Sequence, residues 1–485
     1  MGKPSFSSPA GPAVALLAVA ALGALGCASV PGLGGASSRA SGPDPTGPWL
    51  QYASPAEAGF DAAALARACG DADSVGSSAL MAVYRGRVIL ACGDVDRELE
   101  AHSVRKSLVS ALYGTAVARG EIRLDATLGE LGIGEDGGLT EQERSATVRD
   151  LIAARSGVYL PAAYAPSGQD ENRPERGAHA PGTHWFYNNW DFNVAGVIYE
   201  RATGEDLYAS FQRRIAEPIG MEDYDPGDGF LAYEPTFSRH PAHTFRVSAR
   251  DLARFGQLHL QEGRWGDRQV VPVRWVREST RPVSDFGDGR GYGYMWWTYA
   301  AGSVSPETYP TMARYDSYMG RGTGGQAVWV IPDAEMVIVH RADTDHGRSV
   351  GGRDGWTLAD RILAAKVAMP DPTPELSVLR STPLSSQLDP YAWPRAVPVS
   401  AAVLDEYMGE YELGPGAVVR VFRFQDAPYI HVPGEGDALL IPVARDAFTV
   451  RVVPGVRIEF LRDPAGAVTG VELTLGSQTM RAERR

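Results

Sequence analysis

The sequence predicts an α+β protein: an antiparallel sheet with flanking helices and a mostly helical insert, followed by a small C-terminal all-β domain. Three observations carry this. A hairpin pattern near residue 80 leads into helical periodicity up to about residue 280, after which strand-like runs and a last helix return. Seven prolines between Pro370 and Pro398 then exclude a continuous helix or central strand. Beyond them, six short apolar runs recur at even spacing.

From the N-terminus, Lys3 precedes an apolar stretch from Ala13 to Leu25 and then Gly26-Cys27, the layout of a secretory signal over residues 1–27. Ala24-Leu25-Gly26-Cys27 looks like a bacterial lipobox, in which Cys27 carries the lipid. The alternative is an ordinary cleaved signal beside an incidental cysteine. Either reading exports the chain, and the first anchors it at the cell envelope, facing the periplasm or exterior. No later stretch reaches the ~18 apolar residues that span a bilayer. Residues 28–53 are rich in Gly, Ser and Pro and read as a flexible tether. Cys69 and Cys92 remain, as a disulfide or as two buried thiols.

The larger folded segment runs over residues 54–369. Asp61 caps a helix expected to end at Cys69-Gly70. Ala79 to Tyr84 and Arg87 to Ala91 form a hairpin through Arg85-Gly86. Ser103 to Arg119 has Val104, Leu108, Leu112 and Ala116 at helical spacing, and Gly120 closes it. Tyr292 to Tyr299 and Ala327 to His340 read as strands, and Thr357 to Ala368 as helix. Residues 370–399 form the Pro-rich linker, and 400–485 a small barrel or sandwich built on Val418 to Phe424, Tyr429 to Val432, Ala438 to Val443, Phe448 to Val453, Val456 to Arg462 and Val468 to Leu475.

The formal charge of -13 is spread without long acidic runs, which disfavours a nucleic-acid partner. Only Lys3, Lys106 and Lys366 are lysine among the 46 basic residues. Arginine does not give up its proton, so a retained lysine invites a chemical reading. Lys366 reads as a solvated helix position. Lys106 closes Ser103-Val104-Arg105-Lys106, an S-x-x-K pattern that puts hydroxyl and amine on one helix face, roughly 5–6 Å apart at Cβ. A serine is a poor nucleophile until a base takes its proton, and a lysine with a lowered pKa can be that base. Alone the pattern is weak.

Its company is not. Downstream lies Tyr187-Asn188-Asn189, preceded by Pro181-Gly182 and followed by Val194 to Thr203-Gly204 and Pro218-Ile219-Gly220-Met221. Arg155-Ser156-Gly157, the run Ser248 to Gly256, and Gly291-Tyr292-Gly293-Tyr294-Met295-Trp296-Trp297 add to the pattern. In these segments the chain resembles the family of class C serine β-lactamases, D-alanyl peptidases and related esterases, with its β-lactamase/transpeptidase-like fold. The resemblance implies an acyl-enzyme on Ser103, proton handling by Lys106 and Tyr187, and a hold on lysine and substrate by Asn189. It implies no cofactor and no metal, and a small-molecule or peptide substrate.

The family's third motif is a cation-containing triplet on the strand beside the site. Here the counterpart is Gly320-Arg321-Gly322, then Thr323-Gly324-Gly325. Arg321 stands one residue out of register, so the usual cation reads as absent. The glycines let the strand approach, and Thr323 supplies the expected oxyanion donor together with Ser103. This variant looks closer to the esterase and aminohexanoate-dimer hydrolase branch, favouring an ester or linear amide. The alternatives are a β-lactamase or D-alanyl-D-alanine carboxypeptidase, or a non-catalytic wall-peptide binder of the same fold. His240 and His243 are separated by Pro241, a poor basis for a zinc site.

Overall fold

The computed structural model describes residues 47–385 and 396–485, apart from 167, 415, 425–426, 434–435, 451–454 and 476–477. The signal, Cys27 and most of the tether lie outside the described residues. Among those described, no helix is long and apolar enough to cross a membrane.

A ten-stranded mixed sheet forms the core of the larger part. From edge to edge its strands are Ser284–Asp285, Arg290–Tyr292, Trp297–Tyr299, Ser317–Arg321, Ala327–Ile331, Met336–Arg341, Ala79–Tyr84, Arg87–Gly93, Leu50–Tyr52 and Leu376–Val378. The pairings are antiparallel except where Gln51 meets Val88. Central strands are buried on both faces. Met81, Val83, Val337 and Val339 face the core under the helical insert, while Leu80, Ala82, Met336 and Ile338 face a second core under the helices Ala62–Ser74 and Gly352–Ala364. Period-two alternation therefore feeds two apolar layers from one strand, and such strands read as near-continuous apolar runs.

The hairpin turn falls where expected, with Arg85 and Gly86 at φ 51° and 72°. That left-handed pair matches the twist of the flanking strands. Asp61 caps its helix by accepting from Ala63 N and Ala64 N. The helix does not stop at Gly70 but continues to Ser74, because Ala72 is also buried in the second core and packing overrides the cost of a mid-helix glycine, about 1 kcal/mol. Cys69 and Cys92 are bonded, with Cα atoms 5.9 Å apart, tying this helix to the strand Arg87–Gly93.

Three further expectations shift. The strand read over Tyr292 to Tyr299 is two strands, broken at residues 293–296 with Met295 at φ 65°. The break is stabilised by the helix Arg105–Ala118, whose Ser107 and Ser110 hydroxyls donate to Met295 O and Tyr294 O at 2.9 and 2.8 Å. The last helix starts at Gly352 rather than Thr357, and Lys366 lies past its end, with its amine 4.8 Å from the Tyr84 ring rather than simply in solvent. The sheet also extends past both ends of the expected 54–369 segment, through Leu50–Tyr52 and Leu376–Val378. The latter sits inside the Pro-rich stretch at the sheet edge, where prolines are tolerated.

The C-terminal part is a closed eight-stranded barrel from Gly409–Gly414 to Gln478–Arg484. Six strands follow the apolar runs read from the sequence; the first and last were missed because Glu410, Glu412, Arg481 and Glu483 dilute their alternation. Tyr411, Phe448, Ile458, Phe460 and Val471 fill the interior, and Leu404 and Tyr407 of the helix Ala401–Tyr407 join that core. The barrel meets the larger part at Tyr429, whose ring stands edge-on to Tyr233 at 5.6 Å.

Candidate active site

The S-x-x-K segment enters the structure as a 3-10 turn, His102–Val104, that passes into the helix Arg105–Ala118. That helix is buried from Arg105 through Ala116. Ser103 lies at its open end, and Lys106 is one turn on at 2% exposure. Lys106 Nζ donates to Ser103 Oγ at 2.9 Å, so the helical i,i+3 geometry does bring amine to hydroxyl. The Tyr187 and Phe192 rings flank Nζ at 4.8 and 5.0 Å. Burial, helped by the charge of Arg105, pushes the lysine pKa well below its ordinary range. The arrangement suits an amine that accepts a proton.

Tyr187 arrives from the other side on the loop before the helix Asn189–Thr203. The loop is held at several points. Phe186 N donates to Ala154 O at 2.9 Å, Arg155 donates to Gly182 O, and Gln169 Nε2 donates to Tyr187 O at 2.8 Å. Asn188 caps the helix, accepting from Trp190 N, and also donates to Val158 O at 2.9 Å. The Tyr187 hydroxyl hydrogen-bonds Ser103, while burial pushes its pKa up to about 12 against the smaller opposing effects of that bond and of Arg105 and Arg321. It therefore stays a protonated phenol across the working pH range, able to relay a proton. Trp297 stacks on it with ring centroids 5.7 Å apart.

The third wall is the strand Ser317–Arg321 and the turn after it. A Cβ on Gly320 would lie 3.0 Å from Ser107 Oγ, and one on Gly322 would lie 2.6 Å from Ala101 O. A side chain at 322 would meet backbone and one at 320 would press on Ser107, so the glycines let this strand run directly against the turn His102–Val104 and the start of its helix. Alternation then sends Met319 and Arg321 to the other face, where both line a cavity of about 320 Å³ shared with Ser103, Tyr187, Trp297 and Thr323.

Ser103, Lys106, Tyr187, Gly322 and Thr323 thus lie together around one cavity. Two placements differ. Arg321, set aside as out of register, lines the same cavity and hydrogen-bonds Tyr299. Asn189 is buried beside the site, but its Nδ2 donates to Tyr164 O, and its Oδ1 is buried with no protein donor among the described residues. Trp297 and Trp356 also line the cavity and were not singled out individually; the aromatic run from Tyr292 to Trp297 pointed to the first, and nothing in the sequence pointed to the second. His240 Nε2 donates to Gly134 O at 2.6 Å, and His243 faces Glu200 at 3.3 Å, so the two histidines point to separate partners.

Several known proteins are similar to this chain. Esterase EstB of Burkholderia gladioli is 30% identical over 108 residues, 22% of this chain and 26% of the esterase, so the alignment spans about a quarter of that relative. Among solved structures, SurE overlays with a TM-score of 0.46 at 17% identity, covering 87% of this chain and 98% of its own. The octameric penicillin-binding protein homologue from Pyrococcus abyssi overlays with a TM-score of 0.45 at 15% identity, covering 86% and 99%. The sequence pattern described as Beta-lactamase matches residues 62–360, more than half of the chain and the whole of the site just described. The chain belongs to the Beta-lactamase family and is an enzyme of the serine-hydrolase type.

Proposed function

We propose that Ser103 is the nucleophile of a hydrolase that cleaves an ester or linear amide of a small molecule through an acyl-enzyme. The observation that carries this is the 2.9 Å contact between a buried Lys106 amine and the Ser103 hydroxyl at the mouth of the cavity. Lys106 takes the Ser103 proton as Oγ attacks the carbonyl carbon. The main-chain N–H groups of Ser103 and Thr323 receive the oxyanion. Tyr187 and Lys106 return the proton to the leaving alcohol or amine, and the same pair activates water to release the acid. A cavity of about 320 Å³ suits a short acyl group. The signal-like segment over residues 1–27, with Cys27, supports a location at the cell envelope for this chemistry.

A second reading, a D-alanyl-D-alanine carboxypeptidase or β-lactamase, is favoured by one observation: Arg321 lines the cavity and offers a cation to a substrate carboxylate. The test is labelling with a fluorophosphonate followed by a screen of short-chain esters, linear amides, D-amino-acid peptides and a chromogenic cephalosporin, with Ser103→Ala as blank. Label on Ser103 and turnover of esters or linear amides is expected. Label on another serine overturns the assignment, and preferential turnover of the peptide or cephalosporin selects the second reading.

A further inference from the structure

The residue before Ser103 is held in a way that the proton chemistry does not use. His102 has φ 46°, a left-handed conformation that a non-glycine residue adopts only when its surroundings enforce it. Its ring is gripped from both sides. Nε2 lies 2.8 Å from Thr344 Oγ1, and Nδ1 lies 2.8 Å from the Tyr164 hydroxyl. The Tyr164 hydroxyl in turn donates to Glu100 Oε1. With that donor committed to a carboxylate, the phenol oxygen accepts from His102 Nδ1–H, which leaves Nε2 to accept from the Thr344 hydroxyl. Burial lowers the His102 pKa, in keeping with this neutral tautomer.

Each end of this chain is fixed. Glu100 pairs with Arg246 across a short two-stranded ladder, and the Arg246 guanidinium holds Asp345, next to Thr344, at 2.6 Å. Tyr164 also has a left-handed backbone, φ 59°. Its N–H donates to Glu234 Oε1 at 3.1 Å and its carbonyl accepts from Asn189. Thr344 packs against the opposite wall of the site: a Cβ on Gly324 would lie 2.1 Å from its Cγ2. The chain Glu100–Tyr164–His102–Thr344 therefore spans from the turn carrying Ser103 to the turn carrying Thr323.

We propose that Tyr164 is a positioning residue for the reaction, acting through His102 and Thr344 to fix the Ser103 turn against the Thr323 turn. The two main-chain N–H groups that face a developing oxyanion sit on these two turns, so the brace sets their separation. Such an effect falls on the transition state and leaves ground-state binding unchanged. It also explains why the Asn189 amide is committed to Tyr164: it anchors the backbone that carries the brace.

The inference rests on Ser103 being the nucleophile, and Ser103→Ala checks that separately. Tyr164→Phe keeps the ring stacked on His102 and beside Arg105 and deletes only the hydroxyl. Per active site titrated with fluorophosphonate, kcat for the best ester is expected to fall about tenfold or more with KM within about twofold, because only transition-state contacts are lost. His102→Asn tolerates the left-handed backbone and should lose a similar factor. The double variant should be no worse than the weaker single one, since both break the same chain. A kcat for Tyr164→Phe within about threefold of wild type, or two losses that multiply as independent, overturns the proposal. Thr344→Val carries the same test should Tyr164→Phe fail to fold. Full activity in Ser103→Ala would instead sink the nucleophile assignment.

Discussion

Lys106→Arg distinguishes a proton acceptor from a fixed positive charge. The lysine is 2% exposed, its amine donates to Ser103 Oγ at 2.9 Å, and two aromatic rings close around it within 5.0 Å. Burial first, and Arg105 second, shift it toward the free amine. A guanidinium cannot follow, because it stays protonated in proteins. General-base help worth about 10²–10⁴-fold in kcat, ~3–5 kcal/mol of barrier, should vanish. The pH dependence has a definite sign. With a lowered lysine pKa, kcat/KM rises with pH as Lys106 deprotonates, and this acid limb lies below the ordinary lysine value of 10.5; in Lys106→Arg the limb disappears. Stability follows the same logic. Between the lowered folded value and the ordinary unfolded one the unfolded chain binds more protons, so this site makes stability rise with pH across that window. Lys106→Met should remove that slope and be inactive. The assay is p-nitrophenyl ester hydrolysis followed from about pH 5 to 10, on proteins with matched thermal melts. If Lys106→Arg turns over the ester within about threefold of wild type, under ~1 kcal/mol, then Lys106 is a structural cation and the mechanism is wrong.

Other outcomes follow from the same geometry. Tyr187→Phe should lower kcat by about 10²-fold while leaving Ser103 reactive to fluorophosphonate. Because the Tyr187 pKa is pushed up to about 12, the wild-type profile should show no alkaline loss from this group below about pH 10; an alkaline limb that Tyr187→Phe abolishes would contradict its placement. Replacing Cys69 and Cys92 by Ala opens a loop of sequence separation 23 and should cost about 3 kcal/mol in denaturant titrations under oxidising conditions. Reductant should produce the same loss in the wild type and none in the double variant.

Much of the site was legible because it depends on local spacing. The i,i+3 relation of Ser103 and Lys106 is a property of any helix. The cap at Asp61 and the left-handed turn at Arg85-Gly86 likewise depend on residues within a few positions of each other. Tyr187 could be placed opposite them only by resemblance, since nothing local links residues 84 apart.

What the sequence determined by itself was therefore the set of local elements, the alternation in the strands and the chemistry available to each side chain. The tertiary structure decided which of those groups meet. Arg321 reads as misplaced along the chain, yet it lines the cavity because Gly320 and Gly322 turn inward against the turn carrying Ser103 and alternation sends residue 321 the other way. Asn189 has an amide that could serve Lys106, but a left-handed Tyr164 presents its carbonyl first. The break at residues 293–296 exists because Ser107 and Ser110, far off in sequence, take up its carbonyls. Barrel closure needs Gly409–Gly414 and Gln478–Arg484 to pair across nearly the whole C-terminal part. In each case the deciding partner lies far along the chain. Periodicity reports only which face a residue occupies, and long-range packing selects the neighbour that face will meet.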